Sequence, residues 1–424
     1  MSLLEGIFSK LFENKYISPS NMFFDFKKKE TVNELVKKIV ESRGEASALL
    51  YSEKLMKNIE KLNEKKLLEF FKMLAREFDI NKDDLSKSVN NYSLDSSVEN
   101  YQIMTSIFHS MRIELFKKLN AIDKGTIRLV NVREKLLIFL KEQAELKKVD
   151  IDLTNLFENW FNRGFLVTHP INWDTSAKIL DKIVQYEAVH EISSWLDLRN
   201  RLEPKDRRCY SFFHPTMEDE PLIFIEVALT SKVPSKIDEI LDINRVKTNP
   251  KDFTTAVFYS ISNCQKGLKG ISFGNFLLKQ VVINLKEEFP SLNNFVTLSP
   301  VPSFVKWLNK NNPTLSDKLV GKSSLIKFEK EILENAVEYL FNAKQKDGLP
   351  IDSVQRFHLS NGASLDKIHS LGDLSKRGIS SSAGLMVNYR YEMNNLEKNH
   401  EKYFSRYNIA SSKSLTSKYK ILNK

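Results

Sequence analysis

A glycine-bearing turn is the part of this sequence best suited to bind a phosphate group. It spans residues 265–274, reads Gln-Lys-Gly-Leu-Lys-Gly-Ile-Ser-Phe-Gly, and lies between a predicted strand and a predicted amphipathic helix. Backbone N–H groups at a helix start attract phosphate because they lack intrahelical partners and lie at the positive end of the dipole. Lys266 and Lys269 add positive charge, and the glycines permit close approach to the backbone. The pattern predicts a diphosphate-binding turn, although an ordinary surface turn of this composition would read the same.

Two residues outside the turn are candidates for moving a proton. Ser299 ends a predicted strand, where its hydroxyl could face a cleft, although a serine that only caps a turn fits the same pattern. Pro300 follows it, which excludes the Gly-x-Ser-x-Gly elbow of α/β-hydrolases. His358 lies between Phe357 and Leu359, so a hydrogen-bonded core histidine and a catalytic one both fit its neighbours. Local patterns leave both roles open.

Residues 1–165 are predicted to form a helical domain. Thr31-Val32-Asn33-Glu34 has the form of a capping box, after which apolar residues recur at helical spacing. Two further apolar stripes are Leu129, Val132, Leu136 and Leu140, and then Leu153, Leu156, Phe157, Trp160 and Phe161. Such stripes usually form packed core, so the sequence predicts a helical bundle for packing or oligomerisation and assigns no chemistry to it.

Strand patterns begin only in the second half, so residues 166–395 are predicted to form a mixed α/β catalytic domain. Apolar and β-branched runs predict strands at residues 209–213, 222–229, 255–262 and 295–298. A helix predicted over residues 274–288 would bury Leu277, Leu278, Val281, Val282 and Leu285. Residues 396–424 are basic and polar, which predicts a frayed tail. The expected fold class is α+β, an N-terminal all-helical bundle followed by a mixed α/β domain.

Composition argues against several classes of function. The chain carries 64 Lys and Arg against 54 Asp and Glu, but its basic clusters are short and lack interleaved aromatic residues, so no nucleic acid partner is expected. No apolar run approaches the roughly 20 residues that span a bilayer, so no membrane insertion is expected. The two Cys have no CxxC partner and the 7 His are scattered, which argues against a disulfide framework and against zinc. Without a convincing signal or transit sequence, a cytoplasmic location is expected.

Several segments resemble known acyl-CoA enzymes. The turn resembles the acyl-CoA-binding turn of the acetyltransferase superfamily, which implies an acetyltransferase-like (GNAT-like) second domain. Across residues 165–391, the order and spacing of further motifs resemble the malonyl-CoA decarboxylase family. They are Phe-His-Pro-Thr-Met-Glu-Asp-Glu-Pro-Leu-Ile-Phe at 213–224, Glu-Val-Ala-Leu-Thr at 226–230, Phe-Tyr-Ser-Ile-Ser at 258–262, Gly-Leu-Lys-Gly-Ile at 267–271, Leu-Ser-Pro-Val-Pro at 298–302, Phe-His-Leu at 357–359 with Asn-Gly-Ala at 361–363, and Arg-Gly-Ile at 377–379 with Gly-Leu-Met-Val-Asn-Tyr-Arg-Tyr at 384–391.

The resemblance implies a role for each matching residue. Ser299 corresponds to the serine described in that family as proton acceptor, and His358 to the histidine described as proton donor. The residues implied to contact the substrate are Lys269, Gly270, Ile271, Ser272, Phe273, Gly274 and Asn275 along the CoA site, and Ser260 and Tyr391 near the reacting group. Some animal members have a glutamate where this chain has Ser272, so no acidic role is carried over to that position.

The implied reaction is the decarboxylation of malonyl-CoA to acetyl-CoA and CO2 through a thioester enolate. Because the thioester is its own electron sink, no metal, biotin or pyridoxal phosphate is expected as a cofactor. A protonated His358, with the ordinary pKa of about 6.5, would deliver the proton to carbon near neutral pH. The family also implies a homo-oligomer, with the helical domain as its expected surface. The chain ends in Ile-Leu-Asn-Lys and lacks the Ser-Lys-Leu peroxisomal signal of many eukaryotic relatives.

Other classes of function stay open from the sequence. An N-acyltransferase would share the fold and the CoA turn, but it would need an amine acceptor and would not need the pair Ser299 and His358. A thioesterase would release free CoA. A non-catalytic acyl-CoA-binding protein would tolerate replacement of either residue.

Overall fold

The computed structural model describes residues 30–108, 110–271, 273 and 277–419. The chain divides into two compact units. The first unit comprises residues 1–125 and 139–149, and the second comprises residues 126–138 and 150–424. Residues 126–138 and 150–165 therefore belong to the second unit, although the sequence pattern groups them with the helical half.

The first unit is helical because apolar residues recur at helical spacing and capping residues mark its helix starts. The predicted capping box is confirmed: Thr31 N donates to Glu34 Oε2 at 2.8 Å, and Glu34 N donates to Thr31 Oγ1 at 3.2 Å. Asn63, Asn81 and Ser97 cap later helices with side-chain oxygens. The helices are α1 (Val32–Glu41), α2 (Glu45–Glu60), α3 (Glu64–Glu77), α4 (Lys82–Leu94), α5 (Val98–Ile107) and α6 (Met111–Asn120).

The second unit is built on one mixed β-sheet. Its strands are β1 (Val167–Ile171), β2 (Arg207–Phe213), β3 (Ile223–Thr230), β4 (Thr255–Asn263), β5 (Asn294–Thr297), β6 (Ser299–Pro300), β7 (Ser364–His369) and β8 (Met386–Arg390). The helices that lie mostly or wholly in this unit are α7 (Gly125–Phe139), α8 (Lys147–Trp160), α9 (Ala177–Tyr186), α10 (Trp195–Leu202), α11 (Asp238–Leu241), α12 (Leu277–Glu288), α13 (Phe304–Asn311), α14 (Pro313–Ser316), α15 (Gly321–Lys327), α16 (Glu329–Asn342), α17 (Ser353–Ser360), α18 (Lys376–Ser382), α19 (Leu396–Arg406) and α20 (Lys413–Lys418).

The strand order is β1-β2-β3-β4-β5-β8-β6, with β7 paired to β8. Among these pairs only β4 and β5 run parallel, and a parallel pair needs a long crossover, which α12 supplies. The predicted apolar stripe of α12 is buried as expected. The predicted strands correspond to β2, β3, β4 and β5, each within two residues at either end. The predicted fold class, helices followed by a mixed α/β domain, is confirmed.

Three short strands, β1, β7 and β8, escaped prediction because they lack the alternating apolar pattern by which strands are recognised. β1 contains Pro170, which has no N–H for a ladder and suits the edge position that β1 occupies. β7 contains Asp366 and Lys367, and β8 has only 5 residues. All three are recognisable through their partners in the sheet rather than through their own sequence.

The C-terminal segment is helical, so the prediction of a frayed tail is wrong for residues 396–419. Helix α19 buries Leu396 and Tyr403, and α20 buries Leu415. Between them, Leu365 N donates to Ala410 O at 2.8 Å, which ties the segment to β7. A few apolar side chains at helical spacing are enough to anchor a segment whose overall composition is polar. In the part of the chain that the structure describes, no helix is long and apolar enough to cross a membrane.

Candidate active site

The candidate site lies where the two parallel strands separate. β4 and β5 pair as far as Phe258 and Thr297, and Leu298 N still donates to Phe258 O at 3.1 Å. The next residues form β6 and pair with β8, whereas β4 continues beside β3. A bulge shifts the register of β4 opposite Glu226 and Val227. Bulges re-aim backbone groups and are frequent beside active sites, so this opening is a suitable place for a ligand.

A buried chain of hydrogen bonds joins three of the predicted site residues. Ser299 Oγ lies 3.1 Å from His358 Nε2, and His358 Nδ1 lies 2.7 Å from the hydroxyl oxygen of Tyr391. Ser299 Oγ donates to Thr297 Oγ1 at 2.9 Å, and Thr297 Oγ1 donates to Val387 O at 3.5 Å. One arrangement of protons that fits these contacts has His358 Nε2–H donate to Ser299 Oγ and the Tyr391 hydroxyl donate to Nδ1.

Burial determines the protonation state of the hydrogen-bonded side chains. His358 is 3% exposed, and desolvation lowers its pKa to about 3, so the imidazole is neutral in the ligand-free protein at neutral pH. The sequence-based expectation of an imidazole with its ordinary pKa near 6.5 is corrected here, because the sequence did not show that the side chain is fully enclosed. Burial also raises the pKa of Tyr391 well above its usual value, which keeps that hydroxyl protonated.

Local sequence fixes where His358 points. Helix α17 starts at a capping residue, Asp352, whose Oδ1 accepts from Val354 N at 2.9 Å and from Gln355 N at 3.0 Å. The imidazole of His358 stacks on the ring of Tyr389, with 4.5 Å between ring centroids. A capped helix on one side and a stacked ring from β8 on the other therefore hold the imidazole against Ser299. Tyr389 and Thr297 were not predicted as site residues, because neither has a local pattern that distinguishes it from core.

The predicted phosphate-binding turn forms a single turn of 3-10 helix at Lys266–Leu268. Three of its N–H groups are already used inside the turn: those of Leu268, Lys269 and Ile271 donate to carbonyls at 3.0, 3.1 and 3.0 Å. Gly270 has φ +84°, a backbone conformation that favours glycine, and among the described residues no atom lies within 4 Å of the position that a Cβ would take there. Of the turn's described residues, Gly270 is thus the position where a ligand can approach the backbone most closely.

The remaining predicted substrate contacts have mixed outcomes. Ser272, Gly274 and Asn275 lie outside the described residues. Phe273 is buried, with its ring edge-on to that of Phe161 at 6.4 Å between centroids. The hydroxyl of Ser260 donates to both carboxylate oxygens of Glu187, at 2.9 and 2.8 Å. The hydrogen bonds of Ser260 thus lead to Glu187 and to Ser262, and not to His358.

Glu187 itself was not predicted from the sequence. Besides Ser260, it accepts from the backbone N–H groups of Val189 at 2.8 Å and His190 at 2.7 Å, and from Ser262 Oγ at 3.2 Å. Its residue type gives no local signal, because a single acidic residue after a helix usually faces solvent. Its role here is to fix the side chains of β4 beyond the point where β5 departs.

Two family models match the chain. The model of the malonyl-CoA decarboxylase C-terminal domain matches residues 164–424, and that of the N-terminal domain matches residues 78–161. The mitochondrial malonyl-CoA decarboxylase of Anser anser anser is 35% identical over 346 residues, covering 72% of this chain and 68% of that protein. The protein of the same description from Mus musculus is 32% identical over 345 residues, covering 72% and 70%.

Solved structures agree with these relatives. The malonyl-CoA decarboxylase from Rhodopseudomonas palustris is 43% identical, with a TM-score of 0.86 over 91% of this chain and 98% of that chain. The malonyl-CoA decarboxylase from Agrobacterium vitis is 41% identical, with a TM-score of 0.86 over 92% and 99%. Similarity in sequence and fold thus extends over most of the chain.

Proposed function

This chain belongs to the malonyl-CoA decarboxylase family, and we propose that Ser299 and His358 carry out the proton transfer of that reaction. Its activity is the conversion of malonyl-CoA into acetyl-CoA and CO2, a carboxy-lyase reaction. The observation that carries the proposed roles is the buried hydrogen-bond chain from Ser299 through His358 to Tyr391. Proton transfer is favoured over acyl transfer because the chain belongs to a decarboxylase family, whose reaction requires a proton at carbon and no acyl acceptor.

Cleavage of the carbon–carbon bond comes first. As CO2 leaves, the electron pair of the broken bond remains on C2 and is delocalised into the thioester carbonyl as an enolate. Donors directed at the enolate oxygen lower the barrier to this step. We propose that backbone N–H groups of β4 are such donors. The separation of β4 and β5 after Phe258 and Thr297 supports this proposal, because it frees N–H groups of β4 from pairing with β5. Ser299 is proposed to orient the departing carboxylate.

The enolate then gains one proton at C2. His358 is neutral before substrate arrives, because burial lowers its pKa to about 3. The substrate carboxylate brings a negative charge into this dry site, and a neighbouring anion favours the imidazolium form. Substrate binding thus promotes the uptake of a proton by His358, and loss of the carboxylate as CO2 favours transfer of that proton to C2. One proton is consumed per turnover, and acetyl-CoA leaves.

The binding of the substrate's nucleotide end is assigned to the turn. Lys266 and Lys269 supply positive charge, and Gly270 offers close approach to the backbone. Ser272, Gly274 and Asn275 are proposed to extend this surface, and Ser260 and Tyr391 to contact the acyl end. No metal, biotin or pyridoxal phosphate is required in this scheme, because the thioester itself accepts the electrons.

The first test is product analysis by mass spectrometry. Purified protein is dialysed against a chelator and incubated with malonyl-CoA, and acetyl-CoA formation is followed for the wild type, Ser299→Ala and His358→Ala. We expect acetyl-CoA from the wild type and a loss of about 100-fold or more in the variants. His169→Gln, on the edge strand β1, serves as a matched histidine control and should keep wild-type turnover. Activity that disappears on chelation and returns with one metal would contradict the absence of a cofactor.

Other products would identify the alternatives. Free CoA detected with a thiol reagent, without acetyl-CoA, would indicate a thioesterase. Acetyl transfer to an added amine would indicate an N-acyltransferase. Malonyl-CoA that binds and stays intact, with no effect of either variant, would indicate a non-catalytic acyl-CoA-binding protein.

A homo-oligomer through the helical unit is proposed as well. Large apolar side chains are exposed on α4, α5 and the segment up to α6: Leu94 (89%), Val98 (73%), Tyr101 (51%), Ile103 (46%), Phe108 (50%) and Met111 (43%). Contiguous exposed apolar surface marks association sites. Light scattering after size exclusion should give a mass above that of one chain, and Leu94→Glu with Val98→Glu should reduce it to the monomer. An unchanged mass would place the interface elsewhere.

The cytoplasmic location and the absence of a nucleic-acid partner are proposed from sequence composition. Cell fractionation with an antibody should find the protein with cytoplasmic markers. Gel-shift measurements at about 0.15 M salt should show no retention of duplex or single-stranded nucleic acid, since a net charge spread over the surface gives only weak, salt-sensitive binding. Membrane or organelle fractions rich in the protein would contradict the first proposal.

A further inference from the structure

A buried arginine contacts the turn at residues 265–271, to which CoA binding is assigned. Arg133, on α7 within the second unit, is 3% exposed. Its Nη1 donates to Gly267 O at 2.7 Å and to Lys269 O at 3.0 Å. We propose that Arg133 is a positioning residue for binding of the CoA diphosphate, an inference that rests on the proposed function of the turn. The sequence pattern of α7 predicts only packed core.

The planarity of the peptide unit explains how Arg133 acts. The C=O of one residue and the N–H of the next point in opposite directions from the same rigid plane. Because the carbonyl of Lys269 points at Arg133, the N–H of Gly270 points away from α7. No atom of the described residues lies within 4 Å of the position that a Cβ would take at Gly270. The hydrogen bond from Arg133 to Lys269 O therefore directs the N–H of Gly270 away from α7, toward the side from which a phosphate can approach.

The guanidinium is itself held rigidly. Its Nε donates to Asp150 Oδ1 at 2.8 Å, and its Nη2 donates to Thr154 Oγ1 at 3.1 Å, both on α8. Asp150 is 2% exposed. A planar fork anchored on one side can present fixed donors on the other, which a flexible lysine ammonium cannot do as well. Helix α8 thus fixes the guanidinium of Arg133, and the guanidinium orients the turn at residues 265–271.

Close packing of the turn against α7 supports the same role. A methyl group added at Gly267 would lie 2.0 Å from the carbonyl oxygen of Val130, so only glycine allows the observed approach. The backbone of the turn thus packs against α7 at Gly267. The carbonyls of Gly267 and Lys269, on either side of Leu268, accept hydrogen bonds from Arg133 of the same helix. Rearrangement of the turn would require these contacts to break together.

The test compares ligands with and without the diphosphate. The double variant Arg133→Met/Asp150→Asn removes the fork without leaving a buried unpaired carboxylate. We expect its Kd for CoA, measured by calorimetry, to rise about 10-fold or more, the effect of losing one well-aligned hydrogen bond. The kcat/KM for malonyl-pantetheine, which lacks the nucleotide and diphosphate, should stay within roughly twofold, whereas that for malonyl-CoA falls with the CoA affinity. Equal losses with both substrates, or none with either, would overturn the proposal.

A matched control separates positioning from general destabilisation. Arg112 is also buried, pairs with Asp79 at 3.1 Å and donates to Leu74 O at 3.1 Å, but all of these residues lie in the first unit. Arg112→Met should lower the melting temperature without changing the ratio of the two kcat/KM values. The same ratio change in Arg112→Met as in the Arg133 variant would count against the proposal.

A second variant keeps the test decisive if the double variant does not fold. Gly267→Ala leaves the Arg133 side chain unchanged and forces the turn and the backbone of α7 at Val130 apart, and it should weaken CoA binding and spare malonyl-pantetheine. An unchanged Kd for CoA in Gly267→Ala would overturn the proposal. The calorimetry needs no turnover, so a wild type that binds CoA but does not decarboxylate malonyl-CoA would contradict the proposed function and not this inference.

Discussion

The hydrogen-bonded centre of Ser299, His358 and Tyr391 and the turn at residues 265–271 are assigned to opposite ends of one substrate, and they are held in opposite ways. The centre draws its residues from distant segments, lies in the interior and contains no charged group before substrate arrives. The turn is one contiguous segment that carries two lysines and is fixed from beneath by a single charged side chain. In the proposed scheme, exclusion of water controls the chemistry at the first site, whereas the direction of backbone groups controls binding at the second.

The largest expected effect separates the two sites most sharply. His358→Gln keeps a neutral amide in a buried position and removes the proton donor. We expect kcat to fall by about 1000-fold, within the range for loss of a general acid, while the Kd for CoA stays at the wild-type value. Stopped assays with malonyl-CoA and calorimetry with CoA measure the two quantities. A large increase in the Kd for CoA would show that the two sites are not independent.

Removal of the Tyr391 hydroxyl tests how the centre is oriented. Tyr391→Phe leaves His358 Nδ1 without its donor, 2.7 Å away in the wild type, and leaves a buried acceptor unsatisfied. Such a loss costs about 1–3 kcal/mol, which corresponds to a fall in kcat of roughly 10- to 100-fold if the imidazole loses its tautomer. The fall in kcat should exceed any rise in KM, because the hydroxyl is proposed to orient the imidazole as well as to contact the acyl end of the substrate. A higher KM at unchanged kcat would assign Tyr391 to substrate binding alone.

The two sites also differ in how much of them the sequence reveals. The turn could be recognised because its glycines, lysines and following helix are adjacent in the chain. Ser299 and His358 were singled out, but only a family resemblance paired them, since no local pattern shows that residues 59 positions apart lie within 3.1 Å. Arg133 escaped both kinds of reasoning, because it lies 134 positions from Gly267 in a helix whose pattern reads as ordinary core.

The fold, too, contains elements that the sequence reveals and elements that it does not. Strands β2 to β5 and helix α12 have apolar patterns strong enough to predict from the chain alone. The short strands β1, β7 and β8 and the C-terminal helices depend on neighbours in space, so their polar sequences were misleading. The protonation state of His358 also depends on neighbours in space. The pKa of His358 is set by complete burial, which is a property of the packed fold and not of Phe357 or Leu359.

Acid should destabilise the protein through its buried centre. The folded-state pKa of His358 is about 3, below the ordinary value of about 6.5 that applies when unfolded, so its contribution to stability is complete above pH 6.5 and is lost as pH falls toward 3. Relative to the wild type, His358→Gln should therefore gain about 2 kcal/mol of unfolding free energy between pH 7 and pH 5, because glutamine takes up no proton. Denaturant unfolding at both pH values measures this difference. A constant difference would mean that the imidazole titrates alike in both states.

The smallest expected effect concerns the turn alone. Gly270 has φ +84°, which other residues adopt only with strain, but a Cβ there would meet no atom of the described residues within 4 Å. Gly270→Ala should therefore cost about 1 kcal/mol in the turn and raise the Kd for CoA only several-fold, because Arg133 still holds the carbonyl of Lys269. Calorimetry with CoA gives the affinity, and the turnover of malonyl-pantetheine should match the wild type. If Gly270→Ala instead weakens CoA as much as the Arg133 variant does, then glycine at this position, rather than the arginine beneath it, decides the geometry of the turn.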